Sequence, residues 1–182
     1  MSMKYSKALQ VVAGCCLVIS GCATDGGRGL AWDTAAQRSA DWVPTAQWTL
    51  ELTGSGLSNP TTWSYAQLAE LEKSRASGRM ECGTGRVDDL TVWQGPSLET
   101  LLTAAGAKPG PLVLSFEAAD GFGVRCRREE AAGAVVALRD GKGRWLAEIN
   151  DEVPLRMISP SQGAKFWIVN LTKIKVEPAA GG

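Results

Sequence analysis

Apolar and polar residues alternate at Trp48-Thr49-Leu50-Glu51-Leu52, the period of a half-buried β-strand, and this strand opens the folded part of the chain. Gly54-Ser55-Gly56 and Asn59-Pro60 are turn chemistry. Ser64 and Gln67 form a capping box that starts a first helix, with Trp63 and Leu68 as its hydrophobic staple. Leu68 and Leu71 are its apolar face, and Gly78 is expected past its end. A short strand with Met80 and Cys82 should follow, then a Gly-rich loop and Thr91-Val92-Trp93. Leu98, Leu101, Leu102 and Ala105 recur at helical spacing after Pro96, and Gly106 stops that second helix.

The second half of the pattern reads mostly as strands. Leu112 to Phe116 and Phe122 to Cys126 flank the turn Asp120-Gly121, and Glu129 to Ala132 has room for one helical turn. Ala134 to Leu138 leads into the hairpin signal Asp140-Gly141-Lys142-Gly143 and a partner strand, Trp145 to Ile149. Leu155 to Ile158 and Phe166 to Val176 complete the sheet. The pattern predicts an α+β fold, sheet-rich, with two or three short helices.

The N-terminus has a different logic. Lys4 and Lys7 precede a weakly apolar run, Ala8 to Ser20, too short to span a hydrocarbon core of about 30 Å. Ile19-Ser20-Gly21-Cys22 has the form of a lipobox, so residues 1–21 are expected to be removed and Cys22 lipidated. Ala23 after the cysteine favours the outer membrane over the inner. This places the protein in the cell envelope, lipid-anchored on the periplasmic side. Residues 22–46, which include Trp32 and Trp42, read as a flexible tether; 47–177 are the domain and 178–182 a frayed tail.

Charge and residue content narrow the chemistry. The chain has 19 basic and 19 acidic residues, and removal of Lys4 and Lys7 leaves a small acidic excess. That balance argues against nucleic acid as a partner. Adjacent carboxylates such as Asp88 and Asp89 point apart and do not make a catalytic pair. The cluster Arg125, Arg127 and Arg128 reads as a solvated strand edge, since Glu129 and Glu130 follow. The chain has no histidine, which excludes His-based acid–base catalysis and most zinc or copper sites. Cys15 and Cys16 leave with the signal and Cys22 is acylated, so Cys82 and Cys126 remain. In an oxidising compartment these can pair, stabilising the fold by about 2–4 kcal/mol, or stand as separate structural residues.

The order of landmarks resembles the molybdopterin-binding domain of the sulfite oxidase family. The matching residues are Glu81-Cys82-Gly83-Thr84-Gly85-Arg86, Trp93-Gln94-Gly95-Pro96-Ser97-Leu98, Asp120-Gly121-Phe122, Asp140-Gly141, Pro154-Leu155-Arg156 with Pro160, and Ile174-Lys175-Val176. The resemblance implies that fold over about Gln47 to Val176, as a single-domain lipoprotein member. It implies a molybdenum–molybdopterin cofactor, with Cys82 as the metal's thiolate ligand, a soft donor suited to a redox metal. It assigns Arg86 to an anionic substrate, and Asp120 and Arg156 to the cofactor's surroundings. Lys165 stands in for the lysine expected on the phosphate, which otherwise falls near Val169. Trp93 and Leu98 bracket a helix start and read as core.

Departures from the pattern keep a second reading open. Asn150 and Asp151 stand where the family has a cofactor-binding histidine, and Gly85 replaces an asparagine. The segment Met1 to Lys7 has no paired arginines, the form of a signal that exports an unfolded chain. One reading is therefore an envelope lipoprotein active in molybdenum-dependent redox or oxygen-atom transfer, with an envelope redox or protein partner. The alternative is a cofactor-free, lipid-anchored binding module with a Cys82–Cys126 disulfide.

Overall fold

The computed structural model describes residues 47–79, 90–150, 152 and 154–179. The first half contains β1 (Thr49–Thr53), β2 (Thr61–Ser64), α1 (Tyr65–Glu70), β3 (Lys73–Gly78), β4 (Thr91–Pro96) and α2 (Leu98–Ala104). The second half contains β5 (Leu112–Ala118), β6 (Gly123–Arg127), β7 (Val135–Ala137), β8 (Arg139–Asp140), α3 (Leu146–Ile149), β9 (Arg156–Ile158), β10 (Ile168–Val169) and β11 (Leu171–Pro178). Single 3-10 turns lie at Arg128–Ala131 and Ala164–Phe166.

Among the described residues these strands form three sheets. The largest has the order β2-β1-β11-β5-β6, with β1 and β11 parallel and the other pairs antiparallel. The smaller sheets are β10-β9-β7 and β3-β4-β8. Alternation along the large sheet sends Leu50, Leu52, Leu114, Phe116, Ile174 and Val176 to one face. They meet Leu68 of α1, Leu98, Leu101 and Leu102 of α2, and Val136, Met157 and Ile168 of the second sheet in one core. Leu98 is core, as its place at a helix start implied.

Local signals explain the helices. Ser64 Oγ accepts the Gln67 N–H at 3.3 Å while Gln67 Oε1 accepts the Ser64 N–H at 2.8 Å, so the capping box closes. Ser97 caps α2 in the same way through the Thr100 N–H at 2.9 Å. Gly106 ends that helix with φ +66°, a conformation glycine adopts without strain.

Four elements differ from the sequence pattern. The first helix ends at Glu70, and Lys73–Gly78, which carries almost no apolar signal, is a strand. It is an edge strand, where exposed Lys73 and Arg75 guard against further pairing. Thr61–Ser64 is also a strand, at one edge of the large sheet. Trp145 makes a single bridge to Arg139, after which Leu146–Ile149 is a helix and not the expected hairpin partner. The closing run is broken at Asn170, whose φ of 60° turns the chain between β10 and β11.

Cys126 faces inward on β6, 6% exposed, beside Leu114 in the register. Its thiol is free, and burial pushes its pKa up to about 11. The disulfide with Cys82 therefore has no support; an inward strand position gives this thiol apolar neighbours and keeps it protonated and inert. Arg127 is exposed on the edge strand β6, and Arg128 pairs with Glu99, in keeping with a solvated edge.

Candidate functional site

The candidate site is built where β4 crosses the second sheet. Gly95 makes that crossing possible: a Cβ there would stand 1.9 Å from the Val136 carbonyl oxygen, so only glycine lets the backbones approach. The Leu138 N–H donates to the Gln94 carbonyl at 2.8 Å, and Ser97 bridges Val135. This contact explains the spacing in Trp93-Gln94-Gly95, because it carries the Trp93 indole to β9.

Arg156 opens β9 between Ala137 and Val169, neither of which bears charge. Its guanidinium carbon lies 5.3 Å from the centre of the Trp93 ring, within cation–π range. Its Nε is buried and, among the described residues, has no hydrogen-bond partner. Desolvation lowers its pKa, but a guanidinium remains charged at any physiological pH. Trp93 itself is half-buried, and its Nε1–H donates to Thr91 Oγ1 at 3.0 Å.

A second indole fastens the same region. Trp167 Nε1–H donates to the Ser159 carbonyl at 3.1 Å, and a Cβ on Gly78 would come within 2.7 Å of the Trp167 ring. Ala76, Val135, Ala137, Leu146, Ile158 and Trp167 form a small second core, with Trp93 packed at its margin. The fully buried Ser159 hydroxyl has no partner among the described residues. A cavity of about 460 Å³ lies against Leu90, Thr91, Trp93, Asp140 and Lys142. Asp140 shapes its wall: Oδ1 accepts the Lys142 and Arg144 N–H groups, and Oδ2 accepts Arg144 Nε–H at 2.8 Å.

Each of the residues that the resemblance grouped makes its own local contacts. Arg156 lies at the site just described. Asp120 is exposed in the β5–β6 turn, where Oδ1 accepts the Phe122 N–H at 2.9 Å. Lys165 is exposed in a 3-10 turn with its ammonium 5.2 Å from the Phe166 ring centre. Among the described residues, no hydrogen bond or ion pair joins any two of these three. Cys22, Cys82 and Arg86 lie outside the described residues, as do Trp32, Trp42, Met80 and Asp151. The chain enters and leaves 80–89 beside this site, because Gly78 pairs with Thr91.

Sequence reasoning missed Thr91 and the pairing of Trp93 with Arg156, and it passed over Arg139. The Arg139 guanidinium carbon sits 3.8 Å over the Trp145 ring, and Trp145 packs tilted against Tyr65 with ring centres 6.1 Å apart. Tyr65 is fully buried; its hydroxyl donates to the Leu138 carbonyl at 3.1 Å, and burial raises its pKa. The signal for Arg139 was available, since it ends the apolar run Val135 to Leu138.

The donor set fits an anionic group. A half-buried guanidinium with an unpartnered N–H and no acidic neighbour in its sheet supplies what a phosphate would take. Among the described residues, no group of three His, Cys, Asp or Glu could hold a metal ion. Among them, too, no helix is long and apolar enough to cross a membrane.

Comparison with known proteins bears on the fold and the family. The crystal structure of the sulfane dehydrogenase SoxCD from Paracoccus pantotrophus is similar at a TM-score of 0.62 and 16% identity, over 75% of this chain. The chain spans 39% of that SoxCD chain, so the likeness shows a fold, the sulfite oxidase-like molybdopterin-binding fold. No curated protein matches this chain. The family described as the oxidoreductase molybdopterin binding domain matches residues 35–180, beginning inside the segment that composition marks as tether. With four-fifths of its length matched, the chain belongs to the oxidoreductase molybdopterin-binding domain family.

Proposed function

We propose that this protein is a lipid-anchored envelope component whose domain binds a molybdenum–molybdopterin cofactor for redox or oxygen-atom transfer. The observation that carries the reading is Arg156, a half-buried cation on an aromatic face with an unpartnered Nε. Burying such a charge is unfavourable unless an anion compensates it. In the proposal Arg156 holds the cofactor's phosphate, Cys82 ligates the metal and Arg86 holds an anionic substrate. Asp120 and Lys165 enter on the resemblance alone. When bound, the cofactor supplies two-electron chemistry that none of these side chains can perform. The protein's own part would be to bind and orient it, with Arg156, resting on the Trp93 ring, as the group that holds its phosphate. The lipid on Cys22 would hold the domain at the outer membrane, on the periplasmic side, within reach of an envelope redox or protein partner.

The test is molybdenum content of the mature protein purified from its own envelope. Near-stoichiometric metal, lost in Cys82→Ser and reduced in Arg156→Ala, supports the reading. Absence of molybdenum from correctly folded native protein would sink it and leave a cofactor-free binding module. Palmitate labelling that survives Cys22→Ser would independently remove Cys22 as the lipidated residue, and wild type that takes up no palmitate would remove the lipid anchor.

A further inference from the structure

We propose that Thr91 is a positioning residue for Arg156, acting through the Trp93 indole; this rests on the reading of Arg156 as the holder of an anion. Thr91 stands opposite Gly78 where the β3–β4 pair ends. Its hydroxyl bonds in two directions, donating to the Gly78 carbonyl at 3.3 Å and accepting the Trp93 indole N–H at 3.0 Å. One hydroxyl can do both, whereas an indole N–H only donates. The side chain is β-branched, so its Oγ1 is held stiffly at χ1. Two bonds on a stiff side chain fix the plane of the Trp93 ring.

That plane matters because little else orients Arg156. Among the described residues no hydrogen bond or ion pair engages its side chain, and its register neighbours Ala137 and Val169 offer neither. The guanidinium rests on the Trp93 face at 5.3 Å. The order Gly78 carbonyl, Thr91 hydroxyl, Trp93 indole, Arg156 guanidinium thus ties the end of the hairpin to the anion-holding group. Removing the Thr91 hydroxyl frees the indole to tilt, and the direction in which Arg156 presents its donors becomes less defined.

The test uses full mature chain from cells that cannot make the cofactor, titrated with inorganic phosphate. The readout is the 15N-indole resonance of Trp93, identified by its loss in Trp93→Phe, with binding measured in parallel by calorimetry. Thr91→Val should weaken phosphate binding roughly fivefold, the scale of one net hydrogen bond. Thr91→Ser should bring it back to within about twofold of wild type. Trp93→Phe removes the same bond from the other side, so the double variant should bind no more weakly than Trp93→Phe alone. Thr91→Val binding like wild type, while Arg156→Ala loses binding, overturns the positioning role and spares the anion site. Wild type that ignores phosphate, or Arg156→Ala that binds like wild type, overturns both. If Thr91→Val does not fold, unchanged binding in Trp93→Phe overturns the proposal by itself.

Discussion

The large sheet and the small second core follow opposite rules. On β5 of the large sheet Leu112, Leu114 and Phe116 are at most 1% exposed, and every inward position is apolar. The second core buries six residues and then places a guanidinium at its margin, over Trp93. The first region is arranged for burial alone, and local pattern, register and packing agree there. The second breaks that agreement at Arg156 and at the buried Ser159 hydroxyl, and the charged break marks the site. Stability and binding should therefore separate between the two regions.

The largest expected effect lies in the first region. Phe116→Ala should destabilise the protein by about 3–5 kcal/mol in denaturant unfolding, because the cavity it opens is lined from all sides. A cost under 1 kcal/mol would mean that this core is looser than its burial implies. Gly95→Ala should come next, at about 3 kcal/mol, since its Cβ would collide with the Val136 backbone where no side chain can swing away. The same variant should lose phosphate binding, because β4 carries Trp93; retained binding would disconnect the strand crossing from the site.

A pH effect follows within the first region. The Cys126 thiol titrates at about 11 in the folded protein against an ordinary 9.0. Its contribution is intact below pH 9.0, and stability should fall as pH rises through about 11, because the unfolded thiol ionises first. Cys126→Ala should flatten that decline in unfolding curves taken across the window; an unchanged slope would assign the decline to other groups. The smallest stability change should come from Arg156→Met, within about 1 kcal/mol of wild type or slightly stabilising, as for other buried charges replaced by apolar groups. It should nonetheless abolish phosphate binding. A loss as large as that of Phe116→Ala would erase the contrast between the regions.

Much of the first region was legible from residues close in the chain. The alternation at 48–52 and 112–116, the capping box Ser64–Gln67 and the stop at Gly106 are local signals with local causes, and they appear where the pattern put them. Lys73–Gly78 was illegible because an edge strand needs no apolar face, so its periodicity is absent. Trp145 to Ile149 was ambiguous, since a short apolar run fits strand or helix, and its neighbours chose helix. Arg156 was legible through its motif, but its relation to Trp93 and Thr91 was not. That relation joins β9 to β4 through a strand crossing that no local spacing encodes.

The sequence by itself determined the α+β class, the strands of the large sheet other than Thr61–Ser64, both capped helices and the family to which the domain belongs. Those properties arise from periodicity, capping chemistry and motif order, which act over a few residues each. The tertiary structure alone decided that Cys126 turns inward as a protonated thiol, and that Asp120 and Lys165 are exposed while Arg156 is half-buried. It alone set an indole under the guanidinium. These outcomes depend on which strands become neighbours, and that is fixed by burying one face of each sheet at once.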